Sequence, residues 1–416
     1  METEEIKLTD GTKIPSLKQN DTIRYLGVDF NTKVTFDSAK VITNLNKMLQ
    51  NLVSTPMLRP HQKILIINDY LWPTLIYPLQ MAPLTKLPKK FLQDVDLIIR
   101  SSVKEILGIP NDVPNAMLYA AKKHRGLSIS KAEWEAYLQH INVCMILQKA
   151  NDPYIPHSRD LNKEIEKCNN ALSFSASELE LLTQTITRPH HHHTHQSRVN
   201  STKLTKLMRD SLREKEFQSW SKLTLRGKGI EQFADNPTGN KSLMNKIGMT
   251  TSEYITMLKM NANVTCVRSI PGRSIDSTQC RHCGTEKETL GHVLGFCYGG
   301  ELIRNQRHHG IRGIIAKAMK QVGFEIAEEV HCVAENGSNR RVDIIAYKRA
   351  SRKGVILDPT VCFEHGEAEH QAMETDLRKK EIYEPCRKYL NYKYDLDQLE
   401  VICLYIEARG TIKILP

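Results

Sequence analysis

The spacing of apolar positions divides the chain into stretches of different period. Up to about residue 35 the reading is strands and turns. Thr22-Ile23-Arg24-Tyr25-Leu26-Gly27-Val28-Asp29-Phe30 gathers β-branched and aromatic residues around one glycine, which suits a bent or bulged strand. From 36 to about 150 the period becomes helical. Val41, Leu45, Met48, Leu49 and Leu52 follow it, as do Leu92, Val95, Ile98, Ile99, Val103, Ile106 and Leu107. Pro73, Pro78, Pro83 and Pro88 punctuate the stretch between them, so several short helices are expected there. Nearer the C-terminus, Arg341 to Tyr347 and Gly354 to Glu364 read as two strands joined by the basic turn Lys348 to Lys353, with a helix expected over about 367 to 390.

Both of those strands are apolar except for one aspartate each, Asp343 and Asp358. A carboxylate inside an apolar strand costs desolvation unless it is paired, hydrogen-bonded or bound to metal. Two of them on adjacent strands can hold a hard divalent cation, which activates water and offsets charge on a scissile phosphate. The plainer alternative is a turn cap, or a pair with the nearby Arg341. On the following helix Lys380 and Tyr383 are three residues apart and share a face, from which a lysine could orient the attacking water or neutralise the phosphate.

Cys280, Cys283, His292 and Cys297 follow the spacing C-x2-C-x8-H-x4-C. Two cysteines separated by two residues make a chelating turn, and a histidine and a cysteine about one helical turn apart complete a tetrahedron for zinc. Gly284 allows the backbone to turn around an ion. A closed four-ligand set leaves no position for water, so this zinc is expected to be structural. His282 is a spare that should point away.

Length and composition narrow the rest. The chain has 416 residues, 40% hydrophobic and 25% charged, enough for two or three domains with real cores. Its net charge of +11 favours polyanionic partners, nucleic acid before an anionic membrane. The most apolar stretch, Lys63 to Leu84, is broken by Asn68, Asp69 and prolines, which excludes a membrane span. Met1-Glu2-Thr3-Glu4-Glu5 does not have the pattern of a signal peptide, so the ten cysteines are expected in a reducing compartment as core thiols or metal ligands. Residues 151 to 200 read as a linker, and the run His190 to His193 with His195 reads as a solvated loop.

Residues 196 to 246 hold eleven Lys or Arg against five Asp or Glu. On a helix Lys203, Lys206, Arg209 and Arg213 would share one side. Arg226 and Lys228, with Trp220 and Phe233 nearby, add a mixture suited to phosphate and base contact, and Arg304 and Arg307 extend it beyond the cysteine cluster. A solvated helix face is the competing reading.

Together these motifs resemble the Pol polyprotein of non-LTR retrotransposons that carry a restriction-like endonuclease and insert at fixed sites. Tyr25-Leu26-Gly27-Val28 looks like the turn closing the reverse-transcriptase palm, and Val103 to Pro110 with Arg125-Gly126-Leu127-Ser128-Ile129 is similar to the thumb region. Cys280-Arg281-His282-Cys283 with Glu288-Thr289-Leu290-Gly291-His292-Val293 and Cys297 matches the family's knuckle, the most specific of the resemblances. Val342-Asp343, Asp358 to Glu364 and Lys380-Glu381-Ile382-Tyr383 resemble its endonuclease core. The family usually has proline before the first aspartate, where this chain has Val342. It also needs adjacent palm aspartates, and no Asp-Asp pair occurs; Phe233-Ala234-Asp235-Asn236 reads as a coincidental loop.

The resemblance implies a mixed α and α/β protein with a helical thumb-like region, a zinc knuckle and a small mixed-sheet, PD-(D/E)xK-like nuclease domain. The expected segments are 1–35 palm-like strands, 36–150 thumb, 151–270 linker and basic region, 271–312 knuckle and 313–416 endonuclease. It implies metal-dependent nicking of double-stranded target DNA in the nucleus, priming reverse transcription of the element's RNA, without polymerase activity in this chain alone. Asp343 and Asp358 would hold Mg2+ or Mn2+, Lys380 would serve as the base, and Glu364 and Tyr383 would support them. The rivals are a non-catalytic nucleic-acid-binding fragment and a thumb acting with a separate palm-bearing reverse transcriptase.

Overall fold

The computed structural model describes residues 7–14, 18, 21–25, 28–31, 37–81, 84, 87–150, 160–187, 200–273, 276–363 and 368–413. The chain forms two compact units, one of residues 1–111, 115–121 and 126–217, the other of 112–114, 122–125 and 218–416. The His190 to His195 run, Glu364 and the Leu26-Gly27 pair lie outside the described residues.

Among its described residues the first unit is mainly helical, with a Lys7–Lys13 bridge and the strands β1 (Thr22–Tyr25) and β2 (Val28–Asn31), which pair antiparallel with Tyr25 opposite Val28. The expected single bent strand is therefore two short ones. Asp37 caps α1 (Ser38–Ser54) by accepting from the Lys40 N–H, and Leu45, Leu49 and Leu52 form the buried stripe. α2 (Pro60–Ile66) continues through a π-helical turn, Ile67–Leu71, into α3 (Trp72–Met81). Pro73 has no N–H to return to that turn, which fits the wider winding. α4 (Lys89–Leu107) buries Leu92, Val95, Ile99, Val103, Ile106 and Leu107 and stops at Gly108, whose φ of 55° only glycine adopts cheaply. α5 (Asn115–Tyr119), α6 (Ala132–Lys149), α7 (Leu161–Ala171), α8 (Ala176–Thr187) and most of α9 (Ser201–Ser221) complete the unit. The stretch read as a linker thus contains α7 and α8.

In the second unit Asn236 caps α10 (Pro237–Met244), accepting from the Gly239 N–H at 3.2 Å. Pro237 starts this helix and does not prolong a loop, because a first-turn N–H has no helical acceptor to lose. α11 (Thr251–Asn261) follows behind a Thr250/Glu253 capping box. Arg125 lies in the interior beside these helices, 0% exposed, its guanidinium 4.1 Å from the Phe233 ring centroid.

The sheet has the order β3 (Glu325–Val333), β4 (Asn339–Lys348), β5 (Lys353–Cys362), β6 (Gln398–Glu407), β7 (Ile412–Lys413). All neighbours are antiparallel except β5 and β6. A parallel pair needs a crossover, supplied by α13 (Ala368–Tyr383) and α14 (Arg387–Tyr394). The helix expected over 367 to 390 is broken at Glu384–Cys386, where Pro385 cannot donate into the preceding turn. Tyr383, Cys386 and Leu390 pack with Ile345, Tyr347 and Ile356, whereas Ala316 of α12 (Glu301–Gln321) packs with Ile344, Ala346 and Leu357. Alternate strand residues thus face different helices, a layered α/β arrangement.

Candidate metal sites

The cysteine–histidine group folds to one point. Cys280 Sγ lies 3.7 Å from Cys297 Sγ and Cys283 Sγ lies 3.3 Å from His292 Nε2. Tetrahedral zinc with ordinary bond lengths would set these edges at roughly 3.8 and 3.6 Å. All four ligand atoms lie within 4.8 Å of one another, so the donor set fits the ion. The five-residue step from His292 to Cys297 overshoots an α-turn. The chain instead forms a π-helical turn, and the Cys297 N–H donates to the His292 carbonyl at 2.8 Å. Gly284, at φ 71°, closes the cysteine turn.

One buried acid had no role in the sequence reading. Glu288, 1% exposed, accepts from the Arg281 backbone N–H at 2.7 Å and from its guanidinium at 2.6 Å. Burial opposes its ionisation, but the Arg281 side chain and the Arg281 and Arg268 backbone N–H groups hold its carboxyl down at about 2. It therefore fixes the turn between Cys280 and Cys283. The residue stood inside the quoted knuckle motif, but nothing in its spacing announced a buried acid.

The aspartates meet where the β-ladder opens. Ile344 pairs with Leu357, and the next step of that register would set Asp343 opposite Asp358, but pairing stops there. Pro359, without an N–H, follows at once. On the other side, β3 pairs with β4 at Glu328 and Val330 but not at Glu329, which sits at φ 54°. Asp343 thus lies where its strand loses regular pairing on both sides.

Asp358 is 1% exposed and accepts three hydrogen bonds, from Tyr383 Oη at 2.7 Å, Lys379 Nζ at 2.8 Å and Thr360 Oγ1 at 2.9 Å. Burial, with Asp358 alongside, pushes the Tyr383 phenol well above its ordinary range, so it stays a donor. Asp343 faces His308 Nε2 of α12 at 3.3 Å, a bond that raises the imidazole pKa. Lys380 stands elsewhere. It pairs with Asp376 at 2.7 Å and is 43% exposed, because adjacent helical residues point about 100° apart. The lysine beside Asp358 is Lys379. His308, which reads in the sequence with Arg304, Arg307 and His309 as an extension of the positive surface, instead meets Asp343, because helix spacing alone does not aim it at a strand.

The basic residues divide. Lys203, Lys206 and Lys228 are exposed. Arg209 makes a two-pronged pair with Glu135, at 2.6 and 2.8 Å, and Arg213 bonds Asp210 and the Ser128 carbonyl. Arg226 is engaged with Asp112 and the Asn263 carbonyl. Arg304 donates to the Cys297 carbonyl and Arg307 to that of Leu294, fastening the knuckle to α12. The arginines are thus engaged by acceptors within the protein, while Lys203, Lys206 and Lys228 face solvent. Trp220 and Phe233 are both fully buried, edge to face at 6.4 Å, and unavailable for base stacking.

An α/β layer with two opposed aspartates, joined in one unit by a four-ligand cysteine–histidine group, is the class of arrangement that fold and sites define. No protein-family model matches the chain. It is 23% identical over 373 residues to the retrovirus-related Pol polyprotein from a type-1 retrotransposable element R2 of Popillia japonica, which covers 89% of this chain and 46% of that protein. Another polyprotein of that description from Popillia japonica is 24% identical over 416 residues, covering 98% of this chain and 77% of the relative. The Pol polyprotein from the type-2 element R2DM of Drosophila melanogaster is 25% identical over 350 residues, 81% of this chain and 29% of the relative. The chain spans about half the length of the first of these relatives. These homologies support its reading as a C-terminal part of a retrotransposon Pol polyprotein.

Proposed function

We propose that the chain binds double-stranded DNA and nicks it by divalent-metal-dependent hydrolysis, as the endonuclease portion of a retrotransposon polyprotein. The observation that carries this reading is the pair Asp343 and Asp358 at the opened ladder, with Lys379 and Tyr383 on one of them. Mg2+ or Mn2+ held by these two carboxylates would supply an activated water and offset charge on the phosphate. Tyr383 and Thr360 orient the Asp358 carboxylate, and Lys379 brings a positive charge to the same point. His308 holds Asp343. Supercoiled plasmid incubated with the purified chain should relax to nicked circles with Mg2+ or Mn2+ and stay supercoiled under chelation. Binding without cleavage in either metal would leave a non-catalytic nucleic-acid-binding protein.

The knuckle is read as a structural zinc site. Cys283→Ser should lower tightly bound zinc by about one equivalent, following the four-ligand rule. Elemental analysis of reduced protein checks this, and an unchanged zinc content would remove the ion from the knuckle.

DNA contact by α9 rests on Lys203 and Lys206, the exposed pair. Their double alanine variant should flatten the dependence of log K on log salt by about two, one phosphate contact each. The melting temperature should hardly change. Arg209→Ala should instead destabilise the first unit, because Glu135, whose side chain is 1% exposed, would lose its charged partner and keep the neutral Gln139 amide. Titrations at several salt concentrations, with thermal melts alongside, separate the two effects.

A further inference from the structure

We propose that His140, Cys144 and Glu164 form a second zinc-type site that clamps α7 against α6 in the first unit. His140 and Cys144 are four residues apart on one face of α6, and Glu164 meets them from α7. The helices run antiparallel here, since Gln148 bonds Asn162 while His140 meets Glu164. His140 Nε2 lies 2.9 Å and Cys144 Sγ 3.7 Å from the same Glu164 Oε2, and the three ligand atoms are within 4.8 Å of one another. Tetrahedral zinc would set the nitrogen–oxygen edge at roughly 3.3 Å and the sulfur–oxygen edge at roughly 3.5 Å. The two edges are thus each a few tenths of an ångström from ligand geometry.

One further feature favours an ion over a simple His140–Glu164 pair. α7 has eleven residues and one fully buried side chain, Cys168, so little apolar packing holds it against α6. Helices of that length are marginal alone, and a metal bridge would hold this one in place. The mixture of thiol, imidazole and carboxylate selects a borderline cation such as Zn2+ and disfavours Mg2+ or Ca2+.

The experiment counts zinc in the full chain, purified reduced and dialysed against metal-free buffer. Wild type should hold about two equivalents, Cys283→Ser about one, and His140→Ala/Cys144→Ser about one with the knuckle intact. Cobalt added to Cys283→Ser protein should give a thiolate-to-metal charge-transfer band that Cys144→Ser abolishes. Glu164→Gln keeps the size and the hydrogen bond to His140, and guards against a variant that fails to fold. With circular dichroism unchanged, it should weaken the second zinc by about ten-fold or more in competition with a chromogenic chelator, the scale of a lost metal partner. A wild type with one zinc that vanishes in Cys283→Ser overturns the proposal. So does a folded Glu164→Gln protein with undiminished affinity at both sites. Failure of the knuckle reading has a different signature, a second zinc that survives Cys283→Ser alongside an unchanged total.

Discussion

Asp358→Ala is expected to lower DNA cleavage by about a thousand-fold or more, the scale on which removing one positioned charge or acid–base group acts, while DNA binding is retained. The carboxylate has no substitute among its neighbours, because Thr360, Tyr383 and Lys379 all donate toward it. Removing it takes away a proposed cation ligand and leaves Lys379 to turn toward solvent, which its 21% exposure allows. Affinity should survive, since most of it comes from phosphate contacts by lysine and arginine. Asp358→Asn retains the shape and serves as the folding control, and it should be equally inactive because a neutral amide neither attracts the cation nor offsets Lys379.

The same assay distinguishes two adjacent lysines. Lys379→Ala should lower cleavage by about a hundred-fold, within the range for such groups, whereas Lys380→Ala should change it by less than about two-fold because its ammonium is turned away to Asp376 and is itself 43% exposed. The comparison needs wild type, both lysine variants and both aspartate variants in matched preparations, with binding measured on the same duplex. Equal cleavage by wild type and Asp358→Ala would remove the nuclease reading. Loss of activity in Lys380→Ala with full activity in Lys379→Ala would restore the assignment that motif resemblance suggested.

What could be read from the sequence depended on how local each feature is. The knuckle ligands were legible because all four lie within one short window and the chemistry of zinc fixes their spacing. The two aspartates were legible as candidates because an acid interrupts each apolar strand, although the end of pairing between them, next to Pro359, and the gap at Glu329 on the other side of Asp343 had no periodic trace. Lys379 was missed by one residue: the phase of α13 is set by packing of Tyr383 and Ala372, which are 5% and 0% exposed, and not by the lysines themselves. The arginines of α9 were misread for the opposite reason. Their partners lie far away, Glu135 being 74 residues before Arg209 and the Ser128 carbonyl 85 before Arg213, so charge density along the chain could not tell a solvated face from an internal tie.

Arg125→Ala is expected to destabilise the second unit by about 3–5 kcal/mol, the range for breaking a buried, hydrogen-bonded charge, a large share of the ~5–15 kcal/mol that domains possess. The guanidinium donates to Asn240 Oδ1 at 2.7 Å and to the carbonyls of Arg409 and Gly410 at 2.5 and 3.1 Å. Truncation strands the buried Asn240 and Arg409 acceptors away from water, at about 1–3 kcal/mol for each that stays unsatisfied, and opens a cavity against the Phe233 ring. Asn240 is itself fully buried and donates to the Lys123 carbonyl at 2.6 Å, so the loss spreads to the 122–125 segment. The backbone gives an internal control. Arg125 is held at φ 61°, a conformation that costs a side-chain-bearing residue about 1–2 kcal/mol and glycine almost nothing. Arg125→Gly should therefore be less damaging than Arg125→Ala by about 1 kcal/mol despite removing one more carbon. Arg125→Lys should fall between wild type and alanine, since one ammonium cannot reproduce the fork of donors. Denaturant melts of the four proteins test this order. If alanine and glycine proved equal to wild type, Arg125 would carry no weight in the core, and the hydrogen bonds around it would be incidental to the fold.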